Sequence, residues 1–477
     1  MLDRTDAAVE TPTHLSKLFG RDSLYMVLWG VQLLAAAGLT PVITRVMGIG
    51  EFGVVASAMA LMQVTMVLGG FGLQTAIQRQ FARPGGDLDA RKLLSVTLLL
   101  ACAFTAAALL SSSWWSGALG FEGSLTPPRL AIVWAGLSVA TSAALALLRS
   151  QDRLGAFAAV SLVQSVVAEA ASLGFVAVLE PTSSHFLVGR VLAQLAATVL
   201  ALLMVRPRSF GPGDRTMARS ALRYSLPLVP AALSSFVLTT ADRLIIQSMM
   251  DNDAVARYQV AYNIASVPIL LLSVLQAAWL PRFFSVPDAQ DRAALVALTR
   301  NTLYRLLVPA VLGLAVGAPL VIRLWAPPNY EPGKLSLVAS LVIITAVPFA
   351  AQVVASLHLT TAGRTGTIAL AVAVAAGVNV VLNLLLIPHF GLEGSAFSTL
   401  AAYAACCLVL QTSVRRTGSI PSSPLSLRIA LALACLASIA VTLLPYNPVV
   451  LLLRAVGAAV CVVVFVHLVV STRRQLI

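Results

Sequence analysis

Residues 224–266 read YSLPLVPAALSSFVLTTADRLIIQSMMDNDAVARYQVAYNIAS. Two apolar runs are joined by a short polar turn at Asp251–Asp253, and an acid and a base, Asp242 and Arg243, stand side by side inside the first run. A helix that crosses a bilayer needs roughly 20 apolar residues. The runs 224–250 and 254–279 both reach that length, so the stretch reads as a membrane hairpin with a tight turn. Pro227, Pro230 and Pro268 are expected to kink its helices.

The whole chain has the same character. Of 477 residues 58% are hydrophobic and 11% charged, and the mean hydropathy is +0.90. A soluble globular domain is about 25% charged. About 14 runs meet the length requirement for a span: 23–44, 52–73, 93–114, 130–148, 155–179, 186–205, 224–250, 254–279, 303–322, 335–357, 366–387, 392–411, 427–444 and 449–470. The segment 1–22 carries Asp3, Asp6, Glu10 and Asp22 and lacks the short apolar core of a signal peptide.

Lysine and arginine orient the spans, because cytoplasmic loops are enriched in both. They crowd onto alternate connections: Arg79, Arg83, Arg91 and Lys92; Arg149 and Arg153; Arg206, Arg208, Arg215, Arg219 and Arg223. The intervening connections hold few. This alternation requires an even number of spans with both termini cytoplasmic. The net charge of +13 is thus a topology signal, and nucleic acid is not an expected partner. There is no Walker-type phosphate loop. The five cysteines lie in apolar runs, with neither metal spacing nor a disulfide framework. The outer loops are short and nearly uncharged, so the chain is not expected to be an enzyme and a membrane glycosyltransferase or polymerase is the weakest reading; no cofactor is expected.

The chain also repeats itself. ITRVMGIGEFGVVASAMA at 43–60 aligns with IQSMMDNDAVARYQVAYN at 246–263 at an offset of 203, matching Met47 to Met250 and Gly53 to Ala256. Each stretch joins the first two spans of a six-span block. Six is even, so the copies run in the same sense about an axis along the membrane normal. The expected architecture is an all-α integral membrane protein: a cytoplasmic segment 1–22, a first lobe 23–205, a cytoplasmic linker 206–223, a second lobe 224–414 and a C-terminal helix pair 415–477. The two parallel six-helix lobes would flank a central cavity.

ITRVMGIGEFGVVASAMALMQVTMVLGGFGLQTAIQRQFAR at 43–83 resembles the first hairpin of bacterial polysaccharide-type flippases, and 224–285 resembles their seventh and eighth helices. These belong to the multidrug/oligosaccharidyl-lipid/polysaccharide exporter superfamily. The resemblance implies a flippase for a polyprenyl-diphosphate-linked oligosaccharide, in the bacterial cytoplasmic membrane. A polysaccharide polymerase and a chain-length regulator are the implied partners of a monomer coupled to a proton or sodium gradient. Two departures bear on the charge of the cavity. Ala256 and Arg257 precede Tyr258 where the family usually has Gly, and Asn263 stands where a base often follows the Ala-Tyr pair. An ion-coupled exporter of small cations from the same superfamily is the second reading.

Polar residues inside spans are the first site candidates. For substrate they are Arg243, Asp242, Arg45, Arg190, Tyr258, Tyr262, Asn263 and Gln32. Ser235, Thr239 and Arg243 recur every four residues and form one stripe. In an unbroken helix Asp242 lies about 100° away from Arg243, so the two are expected to face different neighbours. On that reading Arg243→Ala lowers transport at unchanged abundance. Glu169, a lone acid at mid-span, and Asp242 are the candidates for ion coupling.

Overall fold

The computed structural model describes residues 38–476 apart from 122, 287 and 418–419. Most of the first expected span, with Gln32 in it, lies outside the described residues. Every regular element among them is helical. In an apolar solvent, helices satisfy all backbone polar groups within one segment.

The first half comprises α1 (38–46), α2 (Ile49–Gly70), α3 (Leu73–Phe81), α4 (Gly86–Leu110), α5 (Ser112–Trp115), α6 (Thr126–Ser150), α7 (Leu154–Leu162), α8 (Ala168–Val178) and α9 (Ser183–Val205). The connection carries α10 (Arg215–Ser225). The second half comprises α11 (Val229–Thr239), α12 (Asp242–Met249), α13 (Asn252–Ala265), α14 (Val267–Phe284), α15 (Ala289–Trp325), α16 (Ser336–Ile344), α17 (Ala346–Thr361), α18 (Thr365–Thr417), α19 (Leu425–Ala440) and α20 (Pro448–Leu476).

Among the described residues 11 helices are long and apolar enough to cross a membrane, or up to 12 when the bent pair α13 and α14 is taken as one span. That pair bends by 50° just before Pro268. Pro227 lies in a 3₁₀ turn ahead of α11, and Pro230 opens α11. The kink expected at Pro268 is therefore present, while Pro227 and Pro230 mark a change from α10 through a 3₁₀ turn into α11 within the single apolar span Arg215–Thr239. The 53-residue α18 is two helices joined at Gly391, whose φ of 55° and ψ of −131° interrupt the helix. A Cβ on Gly394 would lie 2.6 Å from the Leu386 carbonyl oxygen, so the chain doubles back there. The expected spans 366–387 and 392–411 are its two arms.

The halves meet where the two aligned stretches meet. α2 packs along α13, and a Cβ on Gly53 would overlap the Asn252 carbonyl. Only a glycine permits that approach, as small residues do generally between membrane helices. A Cβ on Gly50 would come within 3.1 Å of Asp253 Oδ1, and Asp253 is the residue aligned with Gly50 at the offset of 203. Around this seam the same end of the bundle is laced together. Thr44 Oγ1 donates to the Trp325 carbonyl at 2.8 Å, Arg45 Nη2 to the Leu324 carbonyl at 2.7 Å, and Gln247 Nε2 to the Gly120 carbonyl at 2.9 Å. Phe52 and Tyr330 rings lie 6.4 Å apart.

The basic segments gather at the opposite end. The expected linker 206–223 is not a bare strand of loop. Its α10 packs on α3, with Arg79 stacked 4.1 Å over the Tyr224 ring. Lys92 Nζ meets Asp214 Oδ1 at 2.9 Å. The hydrogen bond from Lys92, then that from the Gly211 amide, holds Asp214 below the usual carboxylate range. A depressed carboxylate stabilises above its unfolded pKa, so this clamp is complete at neutral pH. It is lost as pH falls through the lowered value.

Gly53→Ala is expected to destabilise the protein by ~1–3 kcal/mol, the usual range for overpacking. Gly155→Ala, where a Cβ meets nothing within 4 Å, should be neutral or slightly stabilising. Thermal unfolding of the two purified variants reads the difference, and an undisturbed Gly53→Ala would mean that the seam is loose.

Candidate functional site

The polar centre of the second half is built on a broken helix. α11 stops at Thr239, Thr240 takes φ −146° and ψ −26°, and α12 begins at Asp242. The structure overturns the expectation that Asp242 and Arg243 face different neighbours. Both stand in the first turn of α12, where the Asp242 carboxylate also accepts from the Arg243 amide and the long Arg243 side chain turns back, so that Arg243 Nη1 lies 2.5 Å from Asp242 Oδ1. Asp242 Oδ2 accepts a hydrogen bond from Tyr258 Oη at 2.6 Å. Arg243 Nη1 also donates to the Thr239 carbonyl at 2.8 Å, and Nε to Gln259 Oε1 at 3.0 Å. The guanidinium lies 4.0 Å over the Tyr262 ring and 5.4 Å from that of Tyr258.

Both charges are withdrawn from the surface, with Asp242 1% exposed and Arg243 4%. A buried charge pair is viable only when its remaining lone pairs and protons are also met, and here Tyr258, Gln259 and the Thr239 carbonyl meet them. Tyr258 and Tyr262 are buried with their rings 5.8 Å apart, and Arg243 covers them. The network opens toward half-exposed Gln259 and Asn263, where Gln259 Nε2 donates to Asn263 Oδ1 at 2.7 Å. Ser235 and Thr239 are exposed on the stripe that Arg243 continues.

A second pair lies in the first half. Glu169 on α8 is not a lone acid, because Arg190 on α9 is its salt-bridge partner. The pairing follows from helix approach: a Cβ on Gly189 would lie 2.6 Å from the Ser172 Cα, so the bare glycine lets the backbones close until 190 reaches 169. A π turn at Val163–Val167 interrupts the span just before Glu169, and such insertions recur at functional sites. Arg190 also stacks over Trp134 and Phe186, at 5.4 and 5.7 Å. Glu169 Oε2 and Arg190 Nε have no hydrogen-bond partner among the described residues.

One buried apolar cluster joins Trp134 and Leu187 to Phe236, Ala241 and Leu244. The two ion pairs thus flank the interface between the halves. Arg45 does not join either one. It is exposed and its guanidinium is spent on the carbonyls of Pro41 and Leu324, at the laced end. Gln32 lies outside the described residues.

Sequence reasoning missed Gln259, which bridges Arg243 to Asn263, although its spacing of four from Asn263 marks it. It also missed Gln194 and Thr198. With Arg190 they form a stripe of period four on α9, and Gln194 Nε2 donates to Thr141 Oγ1 at 2.8 Å. Asn379 and Asn383, four residues apart on α18, are fully buried. Asn383 Nδ2 donates to the Asn379 carbonyl at 2.9 Å. Among the described residues no group of three or more metal-ligating side chains is assembled.

Residues 42–332 match the family described as polysaccharide biosynthesis protein. Over 390 residues the chain is 22% identical to the probable low-salt glycan biosynthesis flippase Agl15 of Haloferax volcanii, covering 79% of this chain and 78% of that one. Its fold is similar to that of the lipid II flippase MurJ in an inward closed conformation. The TM-score there is 0.71 at 15% identity, over 95% of this chain and 99% of that one. An inward-facing multidrug resistance MATE transporter of the MOP superfamily aligns with a TM-score of 0.60 at 15% identity, over 83% and 94% of the two chains. At such identities the structural likenesses speak for the fold.

Removing one member of a buried ion pair strands the other, at a typical cost of ~3–5 kcal/mol. Arg243→Ala should therefore lower the yield of folded protein as well as transport, contrary to the expectation from sequence. Glu169→Gln and Arg190→Gln should each lower the unfolding temperature, and their double variant should recover part of the loss. Additive losses in that cycle would show that the two side chains act independently.

Proposed function

This chain belongs to the polysaccharide biosynthesis protein family, within the MOP exporter superfamily, and on that premise we propose that it is a lipid-linked oligosaccharide flippase. It carries a polyprenyl-diphosphate-linked repeat unit, of O-antigen, capsule or exopolysaccharide type, from the cytoplasmic to the outer leaflet. The observation that carries this reading is the family match itself, which spans the seam between the halves and the Asp242–Arg243 network. The named activity of the archaeal relative supports it.

The mechanism is alternating access between two lobes, 23–205 and 224–414, with 206–223 linking them and 415–477 as an added pair. Lacing of the end remote from the basic segments favours a state open at the basic end. By the distribution of Lys and Arg that end is cytoplasmic, as are both termini of this protein of the bacterial cytoplasmic membrane. The diphosphate crosses beside Arg243, with Gln259 and Asn263 as the wettest polar groups along its path. Sugars pass over the exposed Ser235–Thr239 stripe. The lipid tail stays in the bilayer, and a proton or sodium gradient supplies the drive. No chemical bond is made or broken. A polysaccharide polymerase and a chain-length regulator use the product.

Export of small cations is the weaker reading. The two deep acids, Asp242 and Glu169, are each paired to an arginine, which leaves neither sign in excess, so the family match and the named activity of the archaeal relative carry the choice.

Deletion of the gene in its host is expected to abolish surface glycan and to trap lipid-linked oligosaccharide on the cytoplasmic leaflet. Intact glycan with no trapped intermediate would falsify the proposal. Gln259→Ala and Asn263→Ala, which strand no charge, should lower flipping at matched abundance in the same assay.

A further inference from the structure

At the basic end of the bundle lies a recess of about 450 Å³, lined by Arg91, Arg153, Leu203, Met204 and Arg206. It is separate from the two ion pairs. Its walls come from three places: the second turn of α4, the residue that precedes α7, and the last turn of α9 with the residue after it. α4 and the α7–α8 span begin here and α9 ends here. The recess therefore sits where three membrane-crossing helices reach the surface, at the depth of lipid headgroups.

The local fold aims the bases at it. Arg153 Nη1 donates to the Met204 carbonyl at 2.6 Å, which ties the start of α7 to the end of α9. Arg206 closes α9 in the left-handed region, with φ 57° and ψ 76°. That conformation favours glycine at a helix C-terminus, yet the chain places an exposed arginine there. Arg91 Nε lies 2.9 Å from Asp87 Oδ2, and Asp87 Oδ1 also accepts from Gln151 Nε2 at 2.6 Å. Asp87 is the acid that answers the recess, and exposed Asp152 precedes Arg153 on the chain. Lys92 alongside is matched by Asp214. No carboxylate pairs with Arg206 among the described residues. Three guanidinium groups against the carboxylates of Asp87 and Asp152 leave an excess of positive charge, and α7 opens without a capping side chain. Beside them Leu203 is 68% exposed, an apolar wall facing outward.

Guanidinium forks suit phosphate oxygens, and an apolar wall at headgroup depth suits an acyl chain. We propose that this recess is a binding site for a phosphate oxyanion at the membrane surface, supplied by an anionic phospholipid headgroup or by free phosphate. It also grips the start of the connection between the halves, since Arg208 N donates to the Arg91 carbonyl and Ser95 Oγ to the Arg208 carbonyl. An anion held there braces that connection against α4.

The test uses the full chain in detergent, with native mass spectrometry after addition of phosphatidylglycerol or phosphatidylcholine. The wild type should retain phosphatidylglycerol preferentially. Arg206→Gly suits the left-handed cap and should fold at least as well as the wild type, yet should lower retention about tenfold, the scale of one charge-assisted hydrogen bond. The double variant Arg153→Gln/Arg206→Gly should abolish it. Retention that survives excess inorganic phosphate assigns the site to a lipid headgroup. Thermal stabilisation by phosphate alone, present in the wild type and absent from Arg206→Gly, assigns it to free phosphate. Equal retention of both lipids with no phosphate effect, or responses to both probes unchanged in Arg206→Gly, overturns the proposal.

Discussion

The rest of the structure depends on the close approach of α2 and α13 at Gly53 and Asn252. A side chain at 53 would hold the helices apart, and the contacts around the seam would not reach. Thr44 and Arg45 find the carbonyls at the end of α15 only because α2 is pressed against the second half. Gln247 finds Gly120 for the same reason. Lipid gives membrane helices no hydrophobic reason to associate, so contact area between small residues and a few hydrogen bonds must do it. The seam supplies both, at one end of the molecule.

A similar logic places the charges. Each buried pair exists because backbone geometry departs from an ordinary helix beside it. Asp242 meets Arg243 in the first turn of α12, directly after the interruption at Thr240, and Glu169 reaches Arg190 across the close approach at Gly189. The pairs then lie on either side of the interface. A guanidinium that is already pre-oriented by Gln259 and the tyrosines loses little freedom on meeting an anion. This is a physical reason for a chain to keep a costly charge in its interior.

Much of the architecture was legible in the sequence, because hydropathy and span length report directly on a solvent about 30 Å thick. The runs 130–148 and 186–205 became the helices Thr126–Ser150 and Ser183–Val205, with boundaries shifted by a few residues. Pro268 announced the bend between α13 and α14. The site was less legible. The expected separation of Asp242 from Arg243 followed the directions in which adjacent side chains leave a helix, whereas the long Arg243 side chain turns back to Asp242 and the Thr239 carbonyl. Glu169 looked solitary because its partner is 21 residues away and the approach hangs on a glycine, which carries no charge signal. Gln259 and Gln194 were readable by their spacing of four from Asn263 and Arg190, but isolated amides in spans are ordinarily helix glue.

The meeting of Gly50 with Asp253 has a further consequence. A residue on the twofold axis of a homodimer faces its own copy, so any acid there opposes an identical acid. Once two copies share a single chain, the aligned positions mutate independently, and one can shrink to accommodate what the other gains. Here position 50 has no side chain and position 253 holds a carboxylate. That asymmetry is closed to a symmetric pair of identical subunits.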